Sequence, residues 1–489
     1  MKKSMKKSLK DILYKVSIVA MAGPPNQNIS NIEVDSRKVK NNNLFVALSG
    51  IKSDGHEYIN ESIDNGASAI VCLKFPKNLK KSNTYIKVEN TTEALAIISG
   101  NFYDHPSKKI KLVGVTGTNG KTTISNLLFE LFNNQNKKAG LISTINIKYG
   151  INEFPAKYTT PDIIIINYFL SEMVNNKINY CFMEVSSHGI SQGRIDGLNF
   201  SGAVFTNLTH DHLDYHKNFK NYRNVKKLFF DRLPKSAFSL VNNDDKNASF
   251  MIQNSNSNKS GYAMNNFADF NVKVLECEFN GMLIKINNNE VWTSLLGNYN
   301  ASNLLAVYSV AILLGLSEAE TLRSISMLKN IPGRFQTFQY DKNGLVIIDY
   351  AHTPNSLENV IDTINQIRTK NESLITIIGC GGNRDKKKRS EMGRIASQKS
   401  DKVIFTSDNP RNEKPKDIID QMVEGVRAED YHKILRIEER EMAIKTSKHI
   451  SNHSDIILIA GKGHEAYQEI NDSQIPFDDF SIAKKYFKL

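Results

Sequence analysis

The stretch from Ile110 to Thr123 constrains the fold more than any other. An apolar run, Ile110–Thr116, enters the turn Gly117-Thr-Asn-Gly120, and Lys121-Thr122-Thr123 opens a helical pattern lasting to about Phe132. A strand passing through a tight turn into a helix is the first half of a βαβ unit, whose next parallel strand needs a crossover helix packed on the sheet. The rest of the chain keeps this rhythm. Short, near-continuous apolar runs recur at Leu44–Leu48, Ala69–Leu73, Tyr180–Val185, Ala203–Leu208, Phe238–Val241, Leu345–Ile348, Leu374–Ile378, Val403–Phe405 and Ile456–Ile459. Strands buried on both faces read this way, and the intervals have room for helices, one of them through Ala301–Leu314. The expected fold class is α/β with mostly parallel sheets. A chain of 489 residues is long enough for about three domains. His105-Pro106-Ser107 and Ile331-Pro332-Gly333 break it where the residue before proline resists helix. The expected units are therefore 1–107, 108–333 and 334–489.

Charge and cysteine usage narrow the function classes. Lys and Arg number 63 against 51 Asp and Glu, a formal net charge of +12. That excess fits an anionic small-molecule substrate laid over a general abundance of Lys, Asn and Ile. A nucleic-acid partner is the weaker rival, since no aromatic stacking motif or zinc-finger spacing accompanies the charge. Cys72, Cys181, Cys277 and Cys380 lie far apart without a Cys-x-x-Cys pair, as in a reducing cytosol. The Lys-rich start followed by Val16–Ala22 imitates an export signal, but Asp11 and Lys15 interrupt it. An amphipathic first helix and a cytoplasmic protein are expected. No run approaches the ~20 apolar residues of a membrane span.

Gly114-Val-Thr-Gly117-Thr-Asn-Gly120-Lys121-Thr122-Thr123 is the sharpest chemical feature. Backbone N–H groups of such a loop converge on phosphate, aided by the positive end of the helix they open. Lys121 is expected on the outer phosphates and the Thr122 hydroxyl on magnesium. The strict pattern wants glycine where Val115 stands, so the motif is one residue short. His210-Asp211-His212-Leu-Asp214-Tyr-His216 packs three His and two Asp into seven residues, which points to metal. It comes close to a zinc-hydrolase signature, with Tyr215 out of place, and a zinc hydrolase is the rival from another class. Glu184 ends an apolar strand, where ligands gather at a parallel sheet. Ser186-Ser187-His188 carries no nucleophile argument from adjacency alone. Later turns after strands, Gly379–Lys386, Ser407–Arg411 and Gly461–Glu465, also face a ligand edge. There Arg384, Arg389 and Arg411 offer the planar fork that grips carboxylates.

Taken together and in this order, Thr116–Thr123, Glu184, the His-rich segment, Asn300-Ala-Ser-Asn303, Gly333-Arg334 and Asp349-Tyr-Ala-His352-Thr-Pro resemble the Mur ligase family, from about Val34 to Glu465. The resemblance implies a three-domain architecture: a UDP-binding unit, a central P-loop-type ATPase unit and a Rossmann-like unit for the incoming amino acid. It implies an ATP-dependent amide-forming ligase acting on UDP-MurNAc-L-Ala-D-Glu, working as a monomer through an acyl phosphate. Gly117, Thr118, Asn119, Gly120, Lys121, Thr122 and Thr123 are then the ATP-phosphate residues, with Asn303, Arg334 and Asp349 on the adenosine side. Two Mg2+ ions are implied, on Thr122, Glu184 and His212, together with Lys226 carbamylated by carbon dioxide; Lys226 rather than Lys227 follows from the spacing to Tyr222. Lys121, Glu184, His212 and Lys226 form the implied catalytic set.

Val34, Ser36, Ile51, Lys52 and Ser53 match uridine positions, and Thr159, Thr160, Ser186, Gln192 and Arg194 match muramyl-dipeptide positions. Tyr158 departs from the small polar amide of relatives. Arg389, Asp408, Asn409, Pro410, Arg411, Gly461 and Glu465 match the amino-acid site. Arg411 favours meso-diaminopimelate, because a guanidinium rewards its distal carboxylate and repels the bare ammonium of lysine. A lysine-adding ligase and a folylpolyglutamate synthase-like ligase are the alternatives.

Overall fold

The computed structural model describes residues 6–50, 53–211, 213–341, 343–369, 371–471 and 473–487, without the side chains of Leu213 and Asp214. Three sheets follow one another along the chain. The first contains β1 (Ile18–Ala22), β2 (Asn31–Glu33), β3 (Asn43–Val46), β4 (Ala67–Cys72) and β5 (Thr84–Val88), in spatial order β1-β5-β4-β3-β2. Its strands are parallel except β1, which runs antiparallel to β5 at the edge. Helix α1 (Thr91–Phe102) starts where the Asn90 side chain accepts from the Thr92 and Glu93 amides. It lays Ala94, Leu95, Ile98 and Phe102 onto Leu44, Val46, Ala69 and Val71. The amphipathic first helix shrinks to one turn, Leu9–Ile12, and the Val16–Ala22 run becomes β1. Lys15, at φ 63, ends the turn, and the β-branched Ile18 and Val19 suit an extended edge. The Pro106 linker is a tight turn after His105, at φ 49, and Ser107 Oγ accepts from the Asn199 amide at 3.1 Å.

The second sheet is built around β6 (Lys111–Thr116). The others are β7 (Ala139–Ile142), β8 (Asn146–Tyr149), β9 (Asn152–Pro155), β10 (Tyr180–Glu184), β11 (Gly202–Phe205), β12 (Phe238–Asn242), β13 (Asn258–Ala263), β14 (Phe270–Glu278), β15 (Gly281–Ile286) and β16 (Asn289–Thr293). Their order is β9-β8-β7-β10-β6-β11-β12-β13-β14-β15-β16. From β7 to β14 neighbours are parallel; both ends finish as antiparallel hairpins. The parallel centre is buried on both faces, which is why its strands read as continuous apolar runs. On one face lie α2 (Lys121–Asn134) and, after the hairpins, α5 (Asn298–Leu313); α3 (Ile163–Asn175) and α4 (Phe219–Asp231) lie on the other. Helix α5 is apolar nearly all round, as a helix enclosed between another helix and a sheet must be.

The third sheet contains β17 (Gln336–Tyr340), β18 (Gly344–Asp349), β19 (Leu374–Ile378), β20 (Lys402–Phe405), β21 (Ile434–Arg436) and β22 (Ile456–Ala460), ordered β17-β18-β22-β19-β20-β21 and parallel apart from β17. Helices α6 (Pro354–Ile367) and α7 (Lys387–Lys399) cover one face, α8 (Arg440–Ile450) and α9 (Asp479–Phe487) the other. Arg440 and Asp479 form a fully buried bidentate pair, both contacts 2.8 Å, and Arg440 Nη2 also donates to Ala460 O at 2.9 Å. That pair ties α8 and α9 to the end of β22, immediately before Gly461. A small hairpin, β23 (Tyr467–Ile470) with β24 (Ser473–Pro476), follows. Among the described residues no helix is long and apolar enough to cross a membrane.

Candidate active site

The carboxyl end of β6 delivers the loop that the sequence singles out. Gly117 stands at φ 150, and a Cβ there would lie 1.9 Å from Thr206 Oγ1. Gly120, at φ 88, precedes α2, and a Cβ on it would meet Asn303 Oδ1 at 2.7 Å. Only glycine fits either position. Neighbouring β11 holds the loop from outside: the Thr118 amide donates to Asn207 O (2.8 Å), the Asn119 amide to Asn207 Oδ1 (2.9 Å), and Thr206 Oγ1 to Asn119 O (2.6 Å). Lys121 Nζ folds back onto Gly117 O (2.9 Å) and Thr118 O (2.7 Å). Burial lowers its pKa, while Glu184 and Asp211 pull the other way. The loop is a preformed cradle whose cation is parked on loop carbonyls.

Thr122 Oγ1 donates to Glu184 Oε2 at 2.9 Å. Glu184 is fully buried and also accepts from the Thr144 amide (2.7 Å) and the Thr144 hydroxyl (3.1 Å). Its described hydrogen-bond partners are all neutral. A buried carboxylate against a threonine hydroxyl, beside a phosphate cradle, is a donor set of the kind Mg2+ takes. Lys226, on α4, reaches the same place: its buried Nζ donates to Gly117 O at 2.9 Å and lies 4.8 Å from the Tyr222 ring centre. Burial, reinforced by Lys121, holds the Lys226 amine well below the ordinary lysine range. Its neighbour Lys227 points elsewhere, to Asp231 at 2.5 Å.

The His-rich segment does not converge in its described part. His210 faces Asp385 of the third sheet at 3.5 Å, whereas the His216 ring lies against Tyr222 and His188. His212 lies outside the described residues, as do Ile51 and Lys52. Among the described residues no group of three His, Cys, Asp or Glu is placed to hold a metal, so the zinc-hydrolase reading has no described cluster behind it.

Beside Glu184, Thr160 Oγ1 donates to Glu184 O and accepts from the Ser186 amide, both at 2.9 Å. Arg194 Nη1 donates to Thr160 O (2.7 Å), Gln192 pairs with the same guanidinium, and Thr159 Oγ1 accepts from Thr144 Oγ1 at 3.1 Å. Tyr158 enters this group as a ring 5.0 Å from the Arg194 guanidinium, a stacking contact that a small amide does not supply. Ser36 instead bonds Glu61 Oε2 (2.9 Å) in the first unit, with Val34 half-buried nearby and Ser53 exposed.

The third unit meets the cradle directly. Arg334 Nη2 donates to Thr122 Oγ1 at 3.3 Å, with its guanidinium 4.4 Å from the Tyr350 ring. Asn119 Nδ2 bonds Asn355 Oδ1 at 3.1 Å. Asp349 accepts from the Phe335 amide (2.7 Å), and burial pushes its pKa from 3.8 up to about 6 against the pull of Arg334. Because the folded state binds this proton more tightly, Asp349 favours folding most below its unfolded pKa and loses that contribution as pH rises through about 6. Asp349→Asn is expected to melt higher than the parent at pH 7.5, with the gap closing toward pH 4. Thermal unfolding across that range checks it; a parent that melts higher at pH 7.5 would show that the Arg334 attraction wins.

Around the Asp408–Arg411 turn, Asn409 Nδ2 donates to Glu465 Oε2 (2.8 Å), and Tyr350 OH reaches Glu465 Oε1 (3.3 Å). Lys462, which the sequence reading passed over, is fully buried and donates to Asn409 Oδ1 (3.0 Å) and Glu465 Oε2 (3.1 Å), with Asp408 at 3.8 Å. Burial raises the Asp408 carboxyl, opposed by Lys462. Gly461, at φ 113, brings its backbone against Asp408. Pro410 is buried between Asn409 and Arg411, and Arg411 closes the turn at φ 50.

Arg384 is exposed, whereas Arg389 is fully buried. Nη1 and Nη2 of Arg389 are spent on Glu413 (2.9 and 3.0 Å), Gln421 (2.7 Å) and Gly381 O (3.1 Å). The Arg389 contact holds the Glu413 carboxyl down at about 2. A bidentate, half-buried pair braces the two loops, and the partner, Glu413, lies 24 residues downstream.

This arrangement, an anion cradle, a buried carboxylate and lysine beside it, and a second parallel-sheet unit with a charged pocket closing over it, defines a nucleotide-dependent ligase of several domains. Family models match residues 28–103 (Mur ligase family, catalytic domain), 115–311 (Mur ligase middle domain) and 333–463 (Mur ligase, glutamate ligase domain). The chain belongs to the Mur ligase family. Relatives named UDP-N-acetylmuramoyl-L-alanyl-D-glutamate–2,6-diaminopimelate ligase are 46% identical in Cytophaga hutchinsonii, over 98% of both chains, and 46% identical in Phocaeicola vulgatus, over 98% of this chain and 99% of that one. A solved structure of a ligase with the same name superposes with a TM-score of 0.70 at 29% identity, covering 99% of each chain. A Mycobacterium tuberculosis folylpolyglutamate synthase shares the fold at 13% identity (TM-score 0.63), covering 76% of this chain and 92% of its own.

Proposed function

We propose that this chain is the cytoplasmic ligase that adds meso-2,6-diaminopimelate to UDP-MurNAc-L-Ala-D-Glu with cleavage of ATP, a step of peptidoglycan synthesis. The full-length identity to ligases of that name supports the reading. The single structural observation that supports it is the Thr122 hydroxyl, which donates to Glu184 and accepts from Arg334, so that the third unit meets the glycine-rich loop of the second. Residues 1–107 hold the uridine end, with Val34, Ser36, Ile51, Lys52 and Ser53; 108–333 hold ATP; 334–489 hold the incoming amino acid.

A carboxylate is a poor electrophile until phosphorylated. ATP transfers its outer phosphoryl to the D-Glu carboxylate, the amine of diaminopimelate attacks the acyl carbon, and phosphate leaves. Lys121, Gly117–Gly120 and Thr123 hold the phosphates, and Arg334, Asn303 and Asp349 close the nucleotide side. Thr122 and Glu184, with His212, would hold Mg2+, which neutralises phosphate charge when bound. Lys226 is the residue that would carry the carbamate: burial disfavours its charged form, and the deprotonated amine adds to carbon dioxide with release of one proton, giving a carboxylate in place of an amine. Thr159, Thr160, Ser186, Gln192 and Arg194 seat the dipeptide beside Glu184. Water must be kept from the acyl phosphate, so the Arg334 and Asn355 contacts of the third unit act as its closure.

The test is product mass after incubation with ATP, the dipeptide nucleotide and each diamino acid. Tripeptide nucleotide is expected with meso-diaminopimelate, and none without ATP. Preference for lysine would move the chain to the lysine-adding alternative.

A further inference from the structure

Arg411 is held more firmly than a ligand-facing arginine needs for its own stability. Its backbone sits in the left-handed region at φ 50, clamped by its N–H to Glu469 O (3.0 Å) and by the Asn471 N–H to its own O (2.8 Å). Its side chain is held at two points: Nε lies 2.8 Å from Glu469 Oε2, and Nη1 donates to Gly382 O at 2.9 Å. Glu469 lies on β23, whose hairpin tracks the whole turn: Gln468 Nε2 donates to Asp408 O (2.7 Å), and the Glu469 amide to Asn409 Oδ1 (2.9 Å). Among the described residues Nη2 of Arg411 has no protein partner. A guanidinium held at Nε and at Nη1 keeps Nη2 in one orientation, a fixed donor for a carboxylate.

From this geometry, and resting on the function proposed above, we infer that Glu469 is the positioning residue for amino-acid selection, fixing the Arg411 fork toward the distal carboxylate of the diamino acid. Its effect works through orientation. As a charge alone, Glu469 would oppose the same selection, because it offers a bare lysine ammonium an attractive partner and partly offsets the Arg411 repulsion. The two roles therefore predict opposite behaviour when the charge is removed and the contact with Nε kept.

The experiment is steady-state kinetics of the full chain and its Glu469→Ala and Glu469→Gln variants with ATP, the dipeptide nucleotide and either meso-diaminopimelate or lysine. Freeing one long side chain predicts about a tenfold rise in KM for meso-diaminopimelate in Glu469→Ala, with kcat within about twofold and the preference over lysine falling by a similar factor. KM for ATP stays at the parent value. Glu469→Gln, which keeps an oxygen of the same reach beside Nε without the charge, restores KM and selectivity. Three outcomes overturn the inference: an indifferent Glu469→Ala, a Glu469→Gln as impaired as Glu469→Ala, or KM for ATP rising in parallel as in general disruption of the fold. A parent enzyme that makes no tripeptide from meso-diaminopimelate would instead remove the proposed function, and this inference with it.

Discussion

Lys121→Ala is expected to lower kcat/KM for tripeptide formation by a factor of about 10²–10³, the range for removing one fixed donor aimed at charge that develops in the transition state. In the structure the Lys121 ammonium rests on Gly117 O and Thr118 O, at the mouth of the cradle, and needs only a side-chain swing to meet an anion. Burial already disfavours its charge. Its removal therefore relieves a desolvated cation, and the variant should melt no lower than the parent. Product formation and thermal unfolding, measured on the same preparation, separate the two effects. Turnover within twofold of the parent would refute the phosphate role of Lys121.

The second large effect is on stability. Asp479→Ala leaves the Arg440 guanidinium fully buried with only the carbonyls of Ala460 and Ser407 as partners. Breaking a buried pair from one side costs about 3–5 kcal/mol, because the remaining charge keeps its desolvation penalty and loses its counter-ion. Denaturant unfolding should show that loss, and an apolar double replacement at both positions should recover most of it. A single variant as stable as the parent would mean that water reaches Arg440. The pair stands directly before Gly461, so the single variant is also expected to loosen the amino-acid pocket before it unfolds the sheet.

The parallel strands were legible because both of their faces are covered. Cys181, Phe182 and Met183, or Ile456 to Ile459, have no reason to alternate, and the runs stand out. The hairpins of Phe270–Thr293 did not stand out. They have one covered face, Val272 with Met282, Ile284 and Ile286, diluted by outward Lys, Glu and Asn, so the apolar density is low. The phosphate loop was legible because its glycines answer a local demand of the backbone. Charged residues were hard to read wherever a distant partner decides their surroundings. Arg389 sits in a run of basic residues that reads as solvated or ligand-facing, yet Glu413 and Gln421 close on it only in the fold. Lys462 was in plain view between two glycines, and that setting was the available signal for a residue placed deliberately. Lys226 and Lys227 are neighbours about 100° apart on a helix, so one reaches the Gly117 carbonyl while the other turns to Asp231.

The join between the second and third units has a consequence for swapping parts among relatives. Gly333, at φ 70, has its α-carbon pressed against the Gly463–His464 backbone, where a Cβ would approach to 2.2 Å, and Gly463 in turn lies against Gly333 O and Tyr350. The connecting peptide and the pocket loop are thus moulded to each other like the two halves of a clasp. A hybrid enzyme spliced upstream of Gly333 inherits both halves from one parent and keeps the fit; a cut between Gly333 and Gly463 mixes them and loses it.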